Sequence, residues 1–204
     1  MGLLITVGGL AAALARNDSG GHAANASDAA DHGPYRGSEP PPGIRLAPFV
    51  LRSYRGQRVS SSDLRGKVVA LTFLESKCTE ACPIIAVQVA RGIDLLTPDE
   101  REWVRAIAIS TQPSDDTDAS VREFLARRHA LGRLEYQIGT ETAATADLAA
   151  LSRSLCDRFG QPKHTHSASV HIYDRHGVWV SSLHPGVDLT PENFAADVRR
   201  ALGS

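Results

Sequence analysis

Lys67–Pro83 reads KVVALTFLESKCTEACP. Its first eight residues, Lys67 to Leu74, form a nearly continuous apolar run rich in Val, Leu and Phe. Such a run predicts a central strand covered on both faces. The polar loop that follows carries Cys78 and Cys82. Pro83 is then expected to open a helix as its first helical residue, because the first turn leaves its N–H groups unpaired anyway. Ile85, Val89, Ile93 and Leu96 continue at helical spacing.

Working outward, the pattern goes on alternating. Upstream, Ala47 to Ser53 and Gln57 to Ser60 read as short strands around Tyr54-Arg55-Gly56, and Ser62 to Gly66 as a turn. Downstream, Thr97 to Glu100 starts a short turn before a second buried strand, Val104 to Ser110. Asp116 or Thr117 caps a helix through His129 whose inner face is Val121, Phe124, Leu125 and the stem of Arg128, and Gly132 stops it. Leu134 to Ile138 alternates as a strand, and Thr140 to Cys156 is helical. Ser167 to Tyr173 and Val178 to Leu183 form a hairpin around Asp174 to Gly177. Thr190-Pro191 opens the last helix, which ends near Leu202. This order predicts an α/β fold of thioredoxin-like (peroxiredoxin-like) type, a mixed sheet with helices on both faces and a terminal β-hairpin. A doubly wound, flavodoxin-like sheet would place a helix between the last two strands, and the hairpin argues against it.

The chain has 204 residues, with 42% hydrophobic, 22% charged and a formal net charge of −1. That suits one domain with a tail, and a charge so near zero argues against a nucleic-acid surface, which needs a basic face, so no nucleic-acid partner is expected. No apolar run reaches the length of a spanning helix. Gly2 to Ala15 is uncharged and apolar, fits a signal-peptide core or a membrane anchor, and ends in the small-x-small triplet Ala13-Leu14-Ala15. It lacks the basic residues that usually precede such a core. Arg16 to Gly43 is rich in Ala, Gly, Asp, Ser and Pro and reads as a flexible linker, with His22 and His32 as solvated polar residues. The expected organisation is therefore residues 1–15 for export or anchoring, 16–43 as linker and 44–204 as the folded domain, in the periplasm or tethered on the outer face of the inner membrane.

Chemistry concentrates at Cys78-Thr79-Glu80-Ala81-Cys82-Pro83. Two thiols in a loop-to-helix turn can converge on one point. The positive end of the helix beside Cys82, and Lys77 before Cys78, are expected to favour thiolate over thiol. Thiolates suit a soft ion such as Cu(I), and the same pair can close a disulfide. The polar neighbours Lys77, Thr79 and Glu80 argue against a buried core role, and so small a loop makes a poor structural staple. In the topology above, the segment leading into the hairpin lies beside this turn, so His164 or His166 is a candidate third ligand. His171 is expected to be an ordinary strand residue, Cys156 a buried small residue, and Trp103 and Trp179 packing residues. Capping of a helix start accounts for Asp115 and Asp116.

Phe73, Cys78-x-x-x-Cys82-Pro83, Ile109-Ser110, Asp116-Thr117, His166-Ser167-Ala168 and Ile172-Tyr173-Asp174 with Gly177 together resemble the Sco (SenC) family. The resemblance covers about Leu46 to Leu202. It implies a membrane-tethered, thioredoxin-like copper chaperone that helps build the dinuclear copper centre of cytochrome c oxidase. By the same resemblance the metal ligands are Cys78, Cys82 and His166, the ion is copper as Cu(I) with Cu(II) left open, and the partners are a copper-accepting oxidase subunit or another copper chaperone, together with a thiol reductant. Ala81 stands where the family usually has an acidic residue, with Glu80 displaced by one. Thr111-Gln112 replaces the usual acidic residue and proline. Both changes bear on partner recognition and leave the three ligands intact.

The rival class is a thiol-disulfide oxidoreductase or redox sensor using the same pair. Thioredoxin-type sites use a two-residue spacer and a facing proline, whereas the spacer here is three residues and the facing segment offers His166-Ser167. A peroxiredoxin fits less well, since Leu71 and Glu75 occupy the positions of its characteristic proline and threonine.

Overall fold

The computed structural model describes residues 34–139 and 169–204. Its strands are β1 (Val50–Ser53), β2 (Arg58–Ser60), β3 (Val68–Leu74), β4 (Val104–Ser110), β5 (Glu135–Gly139), β6 (Val170–Tyr173) and β7 (Trp179–Leu183). The helices are α1 (Ala81–Asp94), α2 (Pro98–Glu102), α3 (Asp118–Arg127) and α4 (Pro191–Leu202), with a 3₁₀ turn at Ser61–Leu64.

One mixed sheet runs in the order β2-β1-β5-β4-β3-β6-β7. The apolar run of β3 is buried at every position, as its composition predicts, and lies near the middle of the sheet. β3 pairs parallel with β4 in unbroken register from Val68↔Val104 to Leu74↔Ser110, and β4 pairs parallel with β5. β6 runs antiparallel to β3, and the β6–β7 hairpin closes that side around Gly177 at φ +73°.

Alternation along β3 splits its side chains between two cores. Val68, Ala70 and Leu74 face Ile85 and Val89 of α1, Val121, Phe124 and Leu125 of α3, and Phe194 and Val198 of α4. Val69, Leu71 and Phe73 face Phe49, Leu51, Val59, Leu64 and Trp179. α1 and α4 approach closely at Gly92, where a Cβ would stand 2.4 Å from Phe194 Cδ1. The expected helix Thr140 to Cys156, with Cys156 itself, lies outside the described residues. Among the described residues no helix is long and apolar enough to cross a membrane.

Three local expectations differ from the structure. β1 begins at Val50 instead of Ala47, because the chain before it pairs elsewhere: Leu46 N–H donates to Gly177 O at 2.9 Å, and Ile44 O accepts from Trp179 N–H at 2.9 Å. α1 begins at Ala81, two residues before Pro83. Proline is tolerated throughout a first turn, since those N–H groups have no partner inside the helix, so Cys82 is already helical. The linker expected to reach Gly43 is docked well before it. Arg36 and Gly37 N–H groups donate to the Asp197 carboxylate at 2.6 and 3.0 Å, and Ser38 bridges to Ser182. Apolar content, which made this stretch look disordered, does not register a backbone held by a buried carboxylate.

Asp197 is 1% exposed and also accepts from Ser181 Oγ at 2.6 Å. Asp197→Ala leaves three donors without their acceptor and is expected to cost about 2–3 kcal/mol in urea unfolding. Amide exchange at Arg36 and Gly37 should accelerate with it. Unchanged stability and exchange would show that the segment is not held this way.

Candidate metal centre

The cysteine turn leaves the sheet where β3 ends. Leu74 O accepts from Thr111 N at 2.9 Å, which ties the last residue of β3 to the chain beyond β4. The turn then folds on itself, with Cys78 N–H donating to Glu75 O at 3.2 Å. Beneath it sits Asp116, 4% exposed. Its carboxylate accepts from Ser76 N–H at 2.9 Å, Ser110 Oγ at 2.6 Å and Tyr136 OH at 2.8 Å. Ser76 Oγ donates to Ser120 Oγ at 2.9 Å, so the turn is also fastened to α3.

Asp116 is therefore not the helix cap that its position suggests. Thr117 caps α3, with its side chain accepting from Ser120 N–H at 3.1 Å. Asp116 binds the cysteine turn to β4 and β5 instead. Sequence reasoning missed this role for Asp116, Ser76 and Tyr136. The available signal was that a Thr-x-x-Ser cap directly after Asp116 left that carboxylate unemployed.

Cys78 and Cys82 come together as expected, free and half-buried, close enough for each thiol to act on the ionisation of the other. No side chain caps α1 at Glu80. The backbone amides of Glu80 and Cys82 at the helix start favour the Cys78 thiolate. Burial pushes the Cys78 thiol up, but the Cys82 thiol and those two amides outweigh it and hold its pKa below the ordinary thiol value. Cys82 goes the other way, pushed up to about 12 by burial and by the Cys78 thiol. The expectation that both thiols are activated is thus corrected. The helix start favours the thiolate of Cys78, while Cys82, inside the first turn, is the deeper of the two.

His164 and His166 lie outside the described residues. The chain that follows them is fixed. Thr72 Oγ1 donates to Ser169 O at 3.0 Å, and Leu71 pairs with His171. Because β6 is antiparallel to β3, its first residue lies at the cysteine end of β3. His171 points away from the thiols into the protein, 2% exposed, with Nδ1 2.9 Å from Ser182 Oγ and its ring edge-on to Trp179 at 4.8 Å. Burial lowers its pKa to about 4, so it is neutral at ordinary pH. That is the strand residue expected. Among the described residues no group of three potential ligands converges, which leaves the two thiols as the described part of the centre.

The family model SCO1/SenC matches residues 39–203. A mitochondrial SCO1 homolog from Arabidopsis thaliana is 32% identical over 82 residues, 40% of this chain and 25% of that protein, so the match spans about a quarter of the relative's length. The structure of Bradyrhizobium japonicum ScoI with copper bound is similar at 25% identity and TM-score 0.58, over 78% of this chain and all of that one (100%). BsSco, described as a member of the Sco family of cytochrome c oxidase assembly proteins with a disulfide switch, is similar at 18% identity and TM-score 0.63. The match covers 79% of this chain and 95% of that one, and at that identity it bears on the fold, which is thioredoxin-like.

The unequal thiols set an order of reaction. At neutral pH Cys82 carries far less thiolate than Cys78. Limiting iodoacetamide on the reduced protein should therefore modify Cys78 first, with a rate that levels off at lower pH than for a free thiol. Peptide mapping by mass spectrometry reads this directly, and equal labelling of both cysteines would refute the asymmetry.

Proposed function

The chain belongs to the SCO1/SenC family, and from that premise we propose that it is a copper chaperone assisting copper insertion into cytochrome c oxidase. Copper is its cargo, held by Cys78, Cys82 and His166. The observation that carries the reading is the pair of free thiols brought together where the turn after β3 enters α1, one already inclined to thiolate. Two soft sulfur donors with one imidazole suit Cu(I) and fit poorly with the hard cations. A relative solved with copper bound lends the metal's identity. The described chain resumes at Ser169, three residues beyond His166, and β6 starts at the cysteine end of β3, which favours His166 as third donor.

In this reading the two sulfurs and the imidazole bind tightly enough to carry the ion. A three-coordinate site leaves a side open, through which an acceptor cysteine or histidine enters and exchanges ligands one at a time. Loading requires loss of the Cys82 proton, whose cost the metal must offset, so affinity falls as pH falls. In this reading residues 1–15 export or anchor the chain and the linker that follows tethers the domain, with the site outside the inner membrane.

The asymmetry of the thiols also favours a second reading, disulfide exchange. The Cys78 thiolate would attack a partner disulfide, and Cys82 would then displace the partner thiol. The pair gives up two electrons and the partner leaves as a dithiol.

An anaerobic Cu(I) titration of the reduced protein against a competing chelator separates the two. One ion per chain, lost in Cys78→Ser and weakened at least about tenfold in His166→Ala, is expected for a three-donor site. Weak binding, or binding indifferent to His166, would reject the site and leave thiol exchange as the better account.

A further inference from the structure

A second chemical feature lies at the other end of the sheet. β3 spans about 20 Å between its first and last residues, at about 3.3 Å per residue. The cysteine turn follows its last residue. Around its first residue is a cavity of about 290 Å³ whose lining includes Arg45, Arg65, Lys67, Arg175, His176 and Ser61. Four permanent cations from three separate stretches of chain therefore share one hollow.

Among the described residues none of these four is ion-paired. Backbone carbonyls hold three of them: Arg45 Nη1 donates to His176 O at 2.9 Å, Arg175 Nε to Gly66 O at 3.0 Å and Lys67 Nζ to Glu102 O at 2.8 Å. A carbonyl fixes a guanidinium without cancelling its charge, and each arginine keeps further N–H groups for a ligand. The carboxylates of the flanking turns are engaged elsewhere, Asp63 also with the Arg58 guanidinium at 3.8 Å. Asp63 accepts from Ser60 N–H at 3.0 Å, and Asp174 from His176 and Val178 N–H at 2.9 and 2.8 Å. Ser61 Oγ accepts from Phe49 N–H at 3.2 Å and retains its own proton to donate.

Trp103 stands beside this cavity. Its sequence reading is a packing residue, yet it is 48% exposed, with Lys67 Nζ 5.4 Å and Arg175 Cζ 5.1 Å from its ring centre. An exposed indole flanked by cations suits the boundary between water and an anionic headgroup layer.

We propose that this cavity binds a phosphate group, carried either by an anionic phospholipid headgroup or by a soluble phosphate ester. A tetrahedral anion presents oxygens in several directions, which matches donors converging from three stretches of chain. The site is independent of the cysteines and of any metal. Seated on a lipid surface, it would turn the cysteine end of the sheet away from that surface.

The test compares the full chain on phosphatidylcholine vesicles and on vesicles containing phosphatidylglycerol, at low and high salt, with glycerol phosphate as the soluble probe. Any contribution of the apolar N-terminal stretch is common to both vesicle types. The lipid source predicts preferential binding to the anionic vesicles, weakened by salt, and about tenfold weaker in the Arg65→Gln/Lys67→Gln variant. A blue shift of Trp103 emission, identified against Trp103→Phe, should accompany it. The soluble source predicts saturable glycerol phosphate binding lost in the same variant, with no preference for anionic vesicles. The Arg65 side chain makes no hydrogen bond to the described residues, so Arg65→Gln alone serves if the double variant does not fold, with a several-fold loss expected. Neither probe binding, or both binding wild type and variant alike, would overturn the proposal.

Discussion

Everything at the cysteine end of this molecule depends on where the Asp116 carboxylate is held. One buried group takes hydrogen bonds from the loop after β3, from the last residue of β4 and from Tyr136 of β5. Three parallel strands thereby agree on the position of a turn that has little apolar surface of its own. A carboxylate so deep in protein is tolerable because each of its donors would otherwise be unsatisfied too. Through Ser76 the same network reaches α3, so the turn rests on a rigid base while Cys78 stays accessible at its tip.

That base explains the unequal sulfurs. α1 starts at Ala81 with no side-chain cap, and the amides at its start favour a thiolate at Cys78. Cys82, one residue inside the same turn, lacks that benefit and takes the burial. A soft metal ion would reverse this by giving both sulfurs a common positive partner, and oxidation would abolish it by removing both protons. The two chemistries considered for the pair thus start from one electrostatic arrangement and differ in what arrives at it.

Much of this was legible in the sequence. The unbroken apolar run of β3, the glycine at the hairpin turn of Gly177 and the threonine caps of α3 and α4 each have a local cause, and each element forms where that cause puts it. The cysteine pair was legible because its spacing and proline are contiguous. What composition missed was held together by long-range contacts. The docking of Arg36 and Gly37 depends on Asp197, some 160 positions away, and Asp116 is fastened to residues from three strands and loops. The cationic cavity is hidden for the same reason: a net charge of −1 conceals Arg45, Arg65, Lys67 and Arg175, which only the fold gathers. The histidine that completes the proposed metal centre rests on family resemblance and on the direction of β6.

X-ray absorption at the copper edge of the Cu(I)-loaded protein addresses that last step most directly. Two sulfur scatterers and one imidazole nitrogen are predicted for the native chain, with the nitrogen lost in His166→Ala and the sulfurs retained. A spectrum of sulfur alone in the native chain, or an imidazole signal that survives the substitution, would contradict the assignment of His166 and the metal centre built upon it.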